Sequence, residues 1–280
     1  MQISESVKID ISVIAEKLPP FPIIVTQLLD ELKNDSLSME SLVRIARNDP
    51  VISANILSCA NGVRRMHALP DVSDAYVAAQ LVGMNQIQRI IVTNGMNHFL
   101  KQDKGSEFLF WHSRAVALVA QELAMMTSIS PEKAYIAAIL HDIGQLCFHI
   151  LDPVAFQAAY FRSGEDDRLL ERETALFGVD HSLIGAALAT HWHLPDEFAL
   201  SILDHHKEHI VSGDLQAIIN LAESLARALD IPSSAKNRVT RINRSAMDLL
   251  EIEWNTPAMM DCYSRCRARY KHTVASSGLS

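Results

Sequence analysis

The sequence lacks the short motifs that mark several common catalytic sites. Its 280 residues contain no Gly-x-x-x-x-Gly-Lys phosphate-binding loop, no Gly-x-Ser-x-Gly nucleophile turn and no His-Glu-x-x-His zinc motif. It therefore gives no support to P-loop nucleotide hydrolysis, to α/β-hydrolase chemistry or to the metalloprotease chemistry of that zinc motif.

Cysteines and long apolar runs are also scarce. The four cysteines are scattered and form no Cys-x-x-Cys pair, which argues against a zinc finger or a disulfide framework. The longest unbroken apolar run, residues 134–140, is far shorter than the roughly 20 residues that span a bilayer. The opening MQISESVKID lacks a signal-peptide pattern. We therefore expect a cytoplasmic protein without a membrane partner.

Positive charge is sparse over most of the chain. Residues 1–212 contain 16 Lys and Arg against 26 Asp and Glu, whereas residues 213–280 contain 9 against 7. The acidic body argues against nucleic acid as a partner. The basic stretches KNRVTRINR and RCRARYK are the candidate surface for an anionic partner, with a solvated helix face as the alternative.

Helical periodicity is abundant. Val25, Leu28, Leu29 and Leu32 recur at the i, i+3, i+4, i+7 spacing of an amphipathic helix, and no run of alternating strands is present. We predict an all-α protein of about a dozen short helices.

Start and stop signals divide these helices. Asp49-Pro50 and Ser130-Pro131 each place an N-cap residue before a proline at the first helical position. Gly62 is expected to close the helix that Pro50 begins.

The same signals predict the domain organisation. Gly83 separates two helices, and the polar stretch 101–107 is the best boundary between two helical lobes. We predict lobes at residues 1–105 and 106–212, followed by a C-terminal helical extension at residues 213–280.

Histidine is the main chemical signal. Nine of the twelve histidines lie between residues 112 and 209, more than a purely structural lobe usually needs. His141 and Asp142 are adjacent in AAILHDIGQLCFHI, and adjacent helical residues point about 100° apart. Both reach one metal only if it lies between their helix and other helices, which must then supply further ligands.

Further ligands are predicted on other apolar-patterned helices or at their ends. They are His112, His181, His205, His206 and Glu223. Imidazole and carboxylate ligands suit iron, manganese or zinc and argue against calcium, which prefers oxygen ligands. One or two such ions would activate water and neutralise phosphate oxygens, the chemistry of phosphoester hydrolysis.

A structural interpretation stays open for these residues. His141 and Asp142 would then form a buried hydrogen-bonded pair, Gly144 would permit close helix packing, and His181 would be a packing residue. The remaining histidines are expected to be structural or on the surface, with the two that flank Trp192 on the surface. They are His67, His98, His149, His191, His193, His209 and His272.

In their chain order, the candidate ligands resemble those of the HD superfamily of metal-dependent phosphohydrolases. The stretch LPPFPIIVTQLLDELKNDSLSMESLVRIARNDPVISANILSCANG, with AQLVGMNQIQRIIV after it, resembles the HDOD domain, the HD-related output domain of bacterial signalling proteins. GVDHSLIGAALATHWHLPDEFALSILDHH is similar to the same domain. The resemblance covers residues 18–212.

The resemblance implies an all-α fold of two lobes. It implies a bacterial signalling output module that acts through protein partners, with a metal site of structural or sensory role. The superfamily also implies an alternative, a metal-dependent phosphohydrolase that acts on a nucleotide or a related phosphoester.

The sequence departs from active relatives in the stretch from residue 145 onward and at Glu223. Gln145 stands where relatives that hydrolyse cyclic di-GMP carry a lysine after His-Asp-x-Gly, and their Gly-Tyr-Pro tripeptide is absent after residue 145. Both differences argue against cyclic di-GMP hydrolysis. Gln145, the candidate catalytic residue, supplies a neutral hydrogen bond where those relatives have the cation of a lysine. The closing aspartate of the superfamily falls at Glu223, which is one methylene longer.

Overall fold

The computed structural model describes most of the chain. The described ranges are residues 21–33, 36–100, 107–166, 168–232, 237 and 242–276. Only the backbone is described at residues 33, 97–100, 164–166 and 276. All regular elements in these ranges are α-helices, and the ranges contain no strand. The all-α prediction is confirmed.

The chain forms two compact units. Residues 20–102 form the N-terminal unit, and residues 103–280 belong to the C-terminal unit. The predicted lobe at 106–212 and the predicted extension at 213–280 thus lie in one compact unit, and the predicted domain boundaries stay a prediction.

The described part of the N-terminal unit contains five helices. They are α1 (Ile23–Lys33), α2 (Met39–Arg47), α3 (Pro50–Met66), α4 (Ala75–Val82) and α5 (Met84–Leu100). Their buried faces are apolar: Val25, Leu28 and Leu29 of α1 are almost fully buried, as the helical spacing predicts.

The described part of the C-terminal unit contains ten helices. They are α6 (Glu107–Ala124), α7 (Pro131–Leu140), α8 (Ile143–Leu151), α9 (Pro153–Asp166), α10 (Leu169–Phe177), α11 (His181–His191), α12 (Asp196–Asp204), α13 (Asp214–Ala228), α14 (Arg244–Leu249) and α15 (Pro257–Ser276). Helix α6 packs against α7 and α13, and α11 packs against α8 and α12.

Two predicted helix starts are confirmed. The Asp49 side chain accepts hydrogen bonds from the first turn of α3, where Pro50 is the first residue. The Ser130 side chain accepts a hydrogen bond from the backbone N–H of Lys133 in α7. Gly83, at φ +84°, separates α4 from α5 as predicted.

The predicted helix end at Gly62 is wrong. Helix α3 continues through Gly62 to Met66. The side chains of Ile52, Ile56 and Ala60 are buried along this helix. Tertiary packing of that face outweighs the roughly 1 kcal/mol that a helical glycine costs relative to alanine.

Helices α7 and α8 form the core of the C-terminal unit. The stretch Pro131–Leu151 is long and apolar enough to cross a membrane by length and composition, yet 89% of its apolar window is buried inside the protein. A turn at His141 and Asp142 divides the stretch. Its apolar character is therefore accounted for by packing against neighbouring helices.

Helix α15 is held against α6 by a buried charge. The Glu122 carboxylate, 2% exposed, accepts a hydrogen bond from Arg265 Nε at 2.7 Å and a second from Arg269. The rings of Trp111 and Tyr270 meet edge to face at 6.4 Å. Two arginines of the RCRARYK stretch thus pair inside this unit; most of KNRVTRINR lies outside the described residues.

Candidate metal centre

His141 and Asp142 form the junction between α7 and α8. His141 follows the last residue of α7, and Asp142 occupies the N-cap position of α8 with φ −99° and ψ 15°. An N-cap aspartate usually accepts a hydrogen bond from the first turn of its helix, but the Asp142 side chain makes no such bond. Its carboxylate is turned toward histidine side chains instead.

The carboxylate of Asp142 lies between two pairs of imidazoles. Its Oδ2 is 3.4 Å from Nε2 of His112 and 3.4 Å from Nε2 of His141. Its Oδ1 is 3.2 Å from Nε2 of His181 and 3.5 Å from Nε2 of His205. Each carboxylate oxygen therefore faces its own pair of nitrogens.

The structure brings six of the seven predicted ligands into two groups that share Asp142. The larger group is Asp142, His181, His205 and His206. The smaller group is His112, His141 and Asp142. Within each group the potential ligand atoms all lie within 4.8 Å of one another. We call these two groups together the histidine cluster.

Two histidines of the cluster are oriented by the same kind of hydrogen bond, from Nδ1 to a backbone carbonyl. Nδ1 of His141 lies 2.7 Å from the backbone O of Ala138, and Nδ1 of His205 lies 2.7 Å from the backbone O of Ile202. Both carbonyls are three residues earlier, at a helix end where carbonyls lack intrahelical partners. A carbonyl only accepts, so each Nδ1 carries the proton and each Nε2 presents a lone pair to the cluster.

Glu173, which the sequence did not indicate, lies directly behind His181. Its Oε2 is 2.6 Å from Nδ1 of His181 and accepts the backbone N–H of the same residue at 2.9 Å. A buried carboxylate behind a metal-binding histidine fixes its tautomer and raises its basicity. No helical spacing relates the two residues, because α10 ends in a left-handed turn at Gly178 between them.

Close approach of α8 and α11 depends on Gly144. A Cβ at Gly144 would lie 2.1 Å from the backbone O of His181 and 2.8 Å from Cγ2 of Ile184. A Cβ at Gly185 would lie 3.3 Å from the backbone N of Gly144. Side chains at these glycines would push His181 away from Asp142. Gly144 therefore permits the close helix packing that was predicted for it, and this packing keeps His181 near Asp142.

Two predicted site residues stand apart from these groups. Glu223 belongs to neither group and accepts a hydrogen bond from Arg227 Nη2 at 2.5 Å, one turn further along α13. Gln145 is buried three residues after Asp142, and its Oε1 has no hydrogen-bond partner among the described residues. Ligation by Glu223 and a catalytic role for Gln145 stay predictions.

Burial and two carboxylates set the charges in the cluster. Burial lowers the pKa of His141 to about 4 and lowers the pKa of His206 as well. Burial acts against the protonated form of His181 too, but Glu173 and Asp142 raise its pKa to about 10. Against burial, the surrounding imidazoles hold the pKa of Asp142 well below its usual range. At neutral pH the cluster thus holds neutral imidazoles at His141 and His206, a protonated imidazole at His181 and an ionised carboxylate at Asp142.

The donor set fits a divalent metal ion. The buried Nε2 of His141 has no hydrogen-bond partner among the described residues. Nε2 of His181 lies 2.9 Å from that of His206 and 3.4 Å from that of His205. These nitrogens are close enough to share the proton that His181 carries, and a divalent cation bound here would replace that proton. Nitrogen and carboxylate donors suit iron, manganese or zinc, and the choice among these stays a prediction.

The other described histidines belong to neither group. His67, His191, His193, His209 and His272 are exposed, and His149 is buried. The surface positions predicted for the two histidines that flank Trp192 are confirmed. The side chain of His98 lies outside the described residues.

Comparison with known proteins identifies relatives. A family model of the HDOD domain matches residues 18–208. The structure is similar to that of an HDOD domain protein of unknown function from Geobacter sulfurreducens (TM-score 0.65, 22% identity, covering 97% of this chain and 95% of that chain). It is also similar to a candidate signal transduction protein from Marinobacter aquaeolei VT8 (TM-score 0.74, 20% identity, covering 99% and 62%).

A third similar structure is a candidate phosphohydrolase from Shewanella amazonensis SB2B (TM-score 0.60, 21% identity, covering 91% and 97%). In sequence, the chain is 23% identical over 202 residues to an uncharacterised protein of Treponema pallidum (strain Nichols). That match spans 69% of this chain and 39% of the relative, so more than half of the relative lies outside it.

Proposed function

Because this chain belongs to the HDOD family, we propose that it is a bacterial signalling output module whose C-terminal unit holds a metal centre of structural or sensory role. The family's role as an output domain, implied by the sequence resemblance, supports the signalling part. The histidine cluster supports the metal centre.

One observation carries the metal centre, the position of the Asp142 carboxylate between two groups of imidazoles. The cluster residues come from α6, from the α7–α8 junction, from the start of α11 and from the end of α12. A metal bound here would therefore tie several helices together. Its binding free energy would add to the stability of the folded unit.

Thermal unfolding with and without a chelator tests this role. We expect chelation to lower the Tm of the wild type and to leave the Tm of His141→Ala unchanged, since that variant lacks a ligand. His191→Ala, which removes an exposed histidine of α11, is the matched control and should respond like the wild type. A wild-type Tm that is unchanged by the chelator and by added metal would contradict a structural metal.

The proposed setting is the bacterial cytoplasm, with a signalling protein as partner and a nucleotide or other phosphoester as candidate ligand. Neither nucleic acid nor a membrane is proposed as a partner. The excess of acidic over basic residues in residues 1–212 supports the first exclusion.

A second candidate function is a metal-dependent phosphohydrolase. The observation that favours it is that the two groups share one carboxylate, an arrangement suited to two metals about 4 Å apart. A metal bound there would lower the pKa of bound water and neutralise phosphate oxygens. Gln145 offers only a neutral amide beside this centre, which argues against efficient cyclic di-GMP hydrolysis.

Hydrolysis of aryl phosphoesters by metal-loaded protein separates the two functions. If the site is a phosphohydrolase, Gln145→Lys should raise the rate, because it adds a cation near the reacting phosphoryl group. No hydrolysis by either the wild type or Gln145→Lys would favour the signalling module.

A further inference from the structure

Three sulfur-containing residues share one face of helix α15. Met259, Cys262 and Cys266 recur at i, i+3 and i+7, which places them on the same side of the helix. All three are fully buried. Helix α15 packs against α6, and Tyr270, one turn beyond Cys266, meets the ring of Trp111 of α6 edge to face. The three sulfurs thus lie on a buried face of α15 and are shielded from water.

The two thiols of this face are in contact without being bonded. Cys262 and Cys266 are free cysteines, and their Sγ atoms are 3.9 Å apart. Residues at i and i+4 of a helix keep their Cβ atoms about 5–6 Å apart, whereas a disulfide needs about 3.5–4.5 Å. The helix therefore disfavours a disulfide. A metal ion with bonds of about 2.3 Å to both sulfurs fits the 3.9 Å separation, at an S–metal–S angle of roughly 115°.

The donor atoms of this face select the metal. Thiolates and the thioether of methionine are soft ligands, which favour Cu(I). A structural zinc site takes four ligands, yet no third histidine, cysteine or carboxylate is grouped with the two thiols among the described residues. Cu(I) accepts a set of two or three soft sulfur ligands, and Met259 offers the third. The face therefore suits Cu(I) better than zinc.

The charges beside the thiols fit an anionic copper dithiolate. Two thiolates with one Cu(I) carry one negative charge in total. Arg265 lies three residues after Cys262. Arg269 lies three residues after Cys266, so each arginine leaves the helix beside a thiol. Both arginines donate hydrogen bonds to the buried carboxylate of Glu122, which leaves one positive charge in excess to balance the copper dithiolate.

We infer that Met259, Cys262 and Cys266 form a binding site for one Cu(I) ion. Each cysteine releases its thiol proton to solvent and binds the ion as a thiolate. The thioether of Met259 completes a set of three sulfur ligands, and burial excludes water from the bound ion. The inference does not rest on the proposed metal centre, since none of these residues belongs to the histidine cluster.

Anaerobic titration of the full chain with Cu(I), in competition with a coloured Cu(I) chelator, tests the inference. We expect tight binding with the ultraviolet charge-transfer absorption of a copper thiolate, which imidazole ligands do not give. Cys262→Ala and Cys266→Ala should each lose this absorption and weaken binding by more than about 100-fold, because losing a ligand costs more than losing a residue behind one. Cys147→Ala is the matched control, since Cys147 is a buried free cysteine of α8, and it should bind Cu(I) as the wild type does.

Met259→Leu tests the third ligand without disturbing the thiols. Leucine fills a similar volume but has no sulfur, so we expect Cu(I) affinity to fall by about tenfold while the thiolate absorption remains, since a neutral thioether is a weaker ligand than a thiolate. Met260→Leu is the matched control, because Met260 is an exposed methionine of the same helix. Equal affinities for these two variants would remove Met259 from the site. Circular dichroism of each variant confirms that the helical content is unchanged.

The remaining outcomes would overturn the copper site. A wild type that does not compete with the chelator, or that binds Cu(I) without thiolate absorption, would do so. Wild-type affinity in either Cys262→Ala or Cys266→Ala would also do so. His141→Ala should bind Cu(I) as the wild type does, and loss of copper from that variant would place the ion in the histidine cluster instead. None of these outcomes decides whether the cluster itself is a metal centre.

Discussion

The two units of the chain bury different kinds of side chain. Among the described residues of the N-terminal unit, the buried polar side chains are Ser41 and Gln88, both neutral. The C-terminal unit buries titratable groups in its core, among them Asp142, Glu173 and His181. Burying such groups is costly unless they are paired or bind a metal. Packing of apolar side chains explains the interior of the N-terminal unit, whereas the interior of the C-terminal unit must also keep these titratable groups paired or bound to a metal.

Two glycines, one in each unit, differ in the space around them. A Cβ at Gly62 of the N-terminal unit would meet nothing within 4 Å, whereas a Cβ at Gly144 would meet the backbone of α11. Gly62 is a replaceable helix residue, and Gly144 sets the distance between two helices that carry cluster residues. Alanine substitutions at these two glycines therefore test whether each position tolerates a side chain.

The largest effect is expected from Asp142→Asn. The amide keeps the size of the carboxylate but loses the charge that both groups share, so we expect metal affinity to fall by more than about 100-fold. Elemental analysis of the purified variant measures the loss. Asp180→Asn is the matched control, since Asp180 caps α11 and asparagine caps equally well. Full metal content in Asp142→Asn would contradict the shared-ligand role.

Gly144→Ala is expected to have the next largest effect. Its Cβ would overlap the backbone O of His181, so α8 and α11 must separate, at a cost of roughly 3 kcal/mol in the free energy of unfolding. Urea denaturation of the metal-free protein measures this cost without the contribution of a metal. A stability equal to that of the wild type would show that this close approach is not needed.

Glu173→Gln should weaken metal binding by about 10- to 100-fold, the usual effect of losing the carboxylate behind a ligating histidine. Competition with a coloured chelator measures the affinity. Glu132→Gln, which changes another buried glutamate of the C-terminal unit, should leave the affinity unchanged. Equal affinities for both variants would exclude a specific role for Glu173.

Metal affinity should rise with pH. The pKa of His181 is raised to about 10, so below that pH a metal must displace a proton from His181. Each unit of pH lost below 10 therefore weakens binding by up to about tenfold from this residue alone. Chelator competition at a series of pH values measures the slope. An affinity that is independent of pH would contradict ligation by His181.

The smallest effect is expected from Gly62→Ala in the N-terminal unit. Alanine should stabilise α3 by roughly 0.5–1 kcal/mol, because helical glycine loses more conformational entropy on folding. Urea denaturation, with the unit's transition followed by circular dichroism, tests this. Destabilisation of similar size would mean that Gly62 serves a contact outside the described residues.

Residue type and chain order predicted much of the site. The histidines that meet Asp142 were predicted because they lie on apolar-patterned helices or at their ends, and because His141-Asp142 lies in an apolar run. The all-α fold followed from helical spacing and from caps such as Asp49 and Ser130. These signals are local in sequence. The structure confirms them because an apolar face or an N-cap determines the helix to which it belongs.

What the sequence did not predict depends on tertiary geometry. Glu173 reaches His181 through the turn at Gly178, which no helical period describes. Glu223 was predicted as a ligand from its place in the chain, but its hydrogen bond to Arg227 appears only in three dimensions. Gly62 did not end its helix because packing of α3 outweighs the propensity of one residue.

We propose that the histidine cluster around Asp142 is a metal site. The most direct test is metal content per chain by mass spectrometry, on full-length protein purified without chelator or affinity nickel, beside His141→Ala. We expect one or two equivalents of iron, manganese or zinc in the wild type and their loss in the variant. A wild type that holds none of these metals, even after each is supplied, would contradict it and make His141 and Asp142 a buried hydrogen-bonded pair.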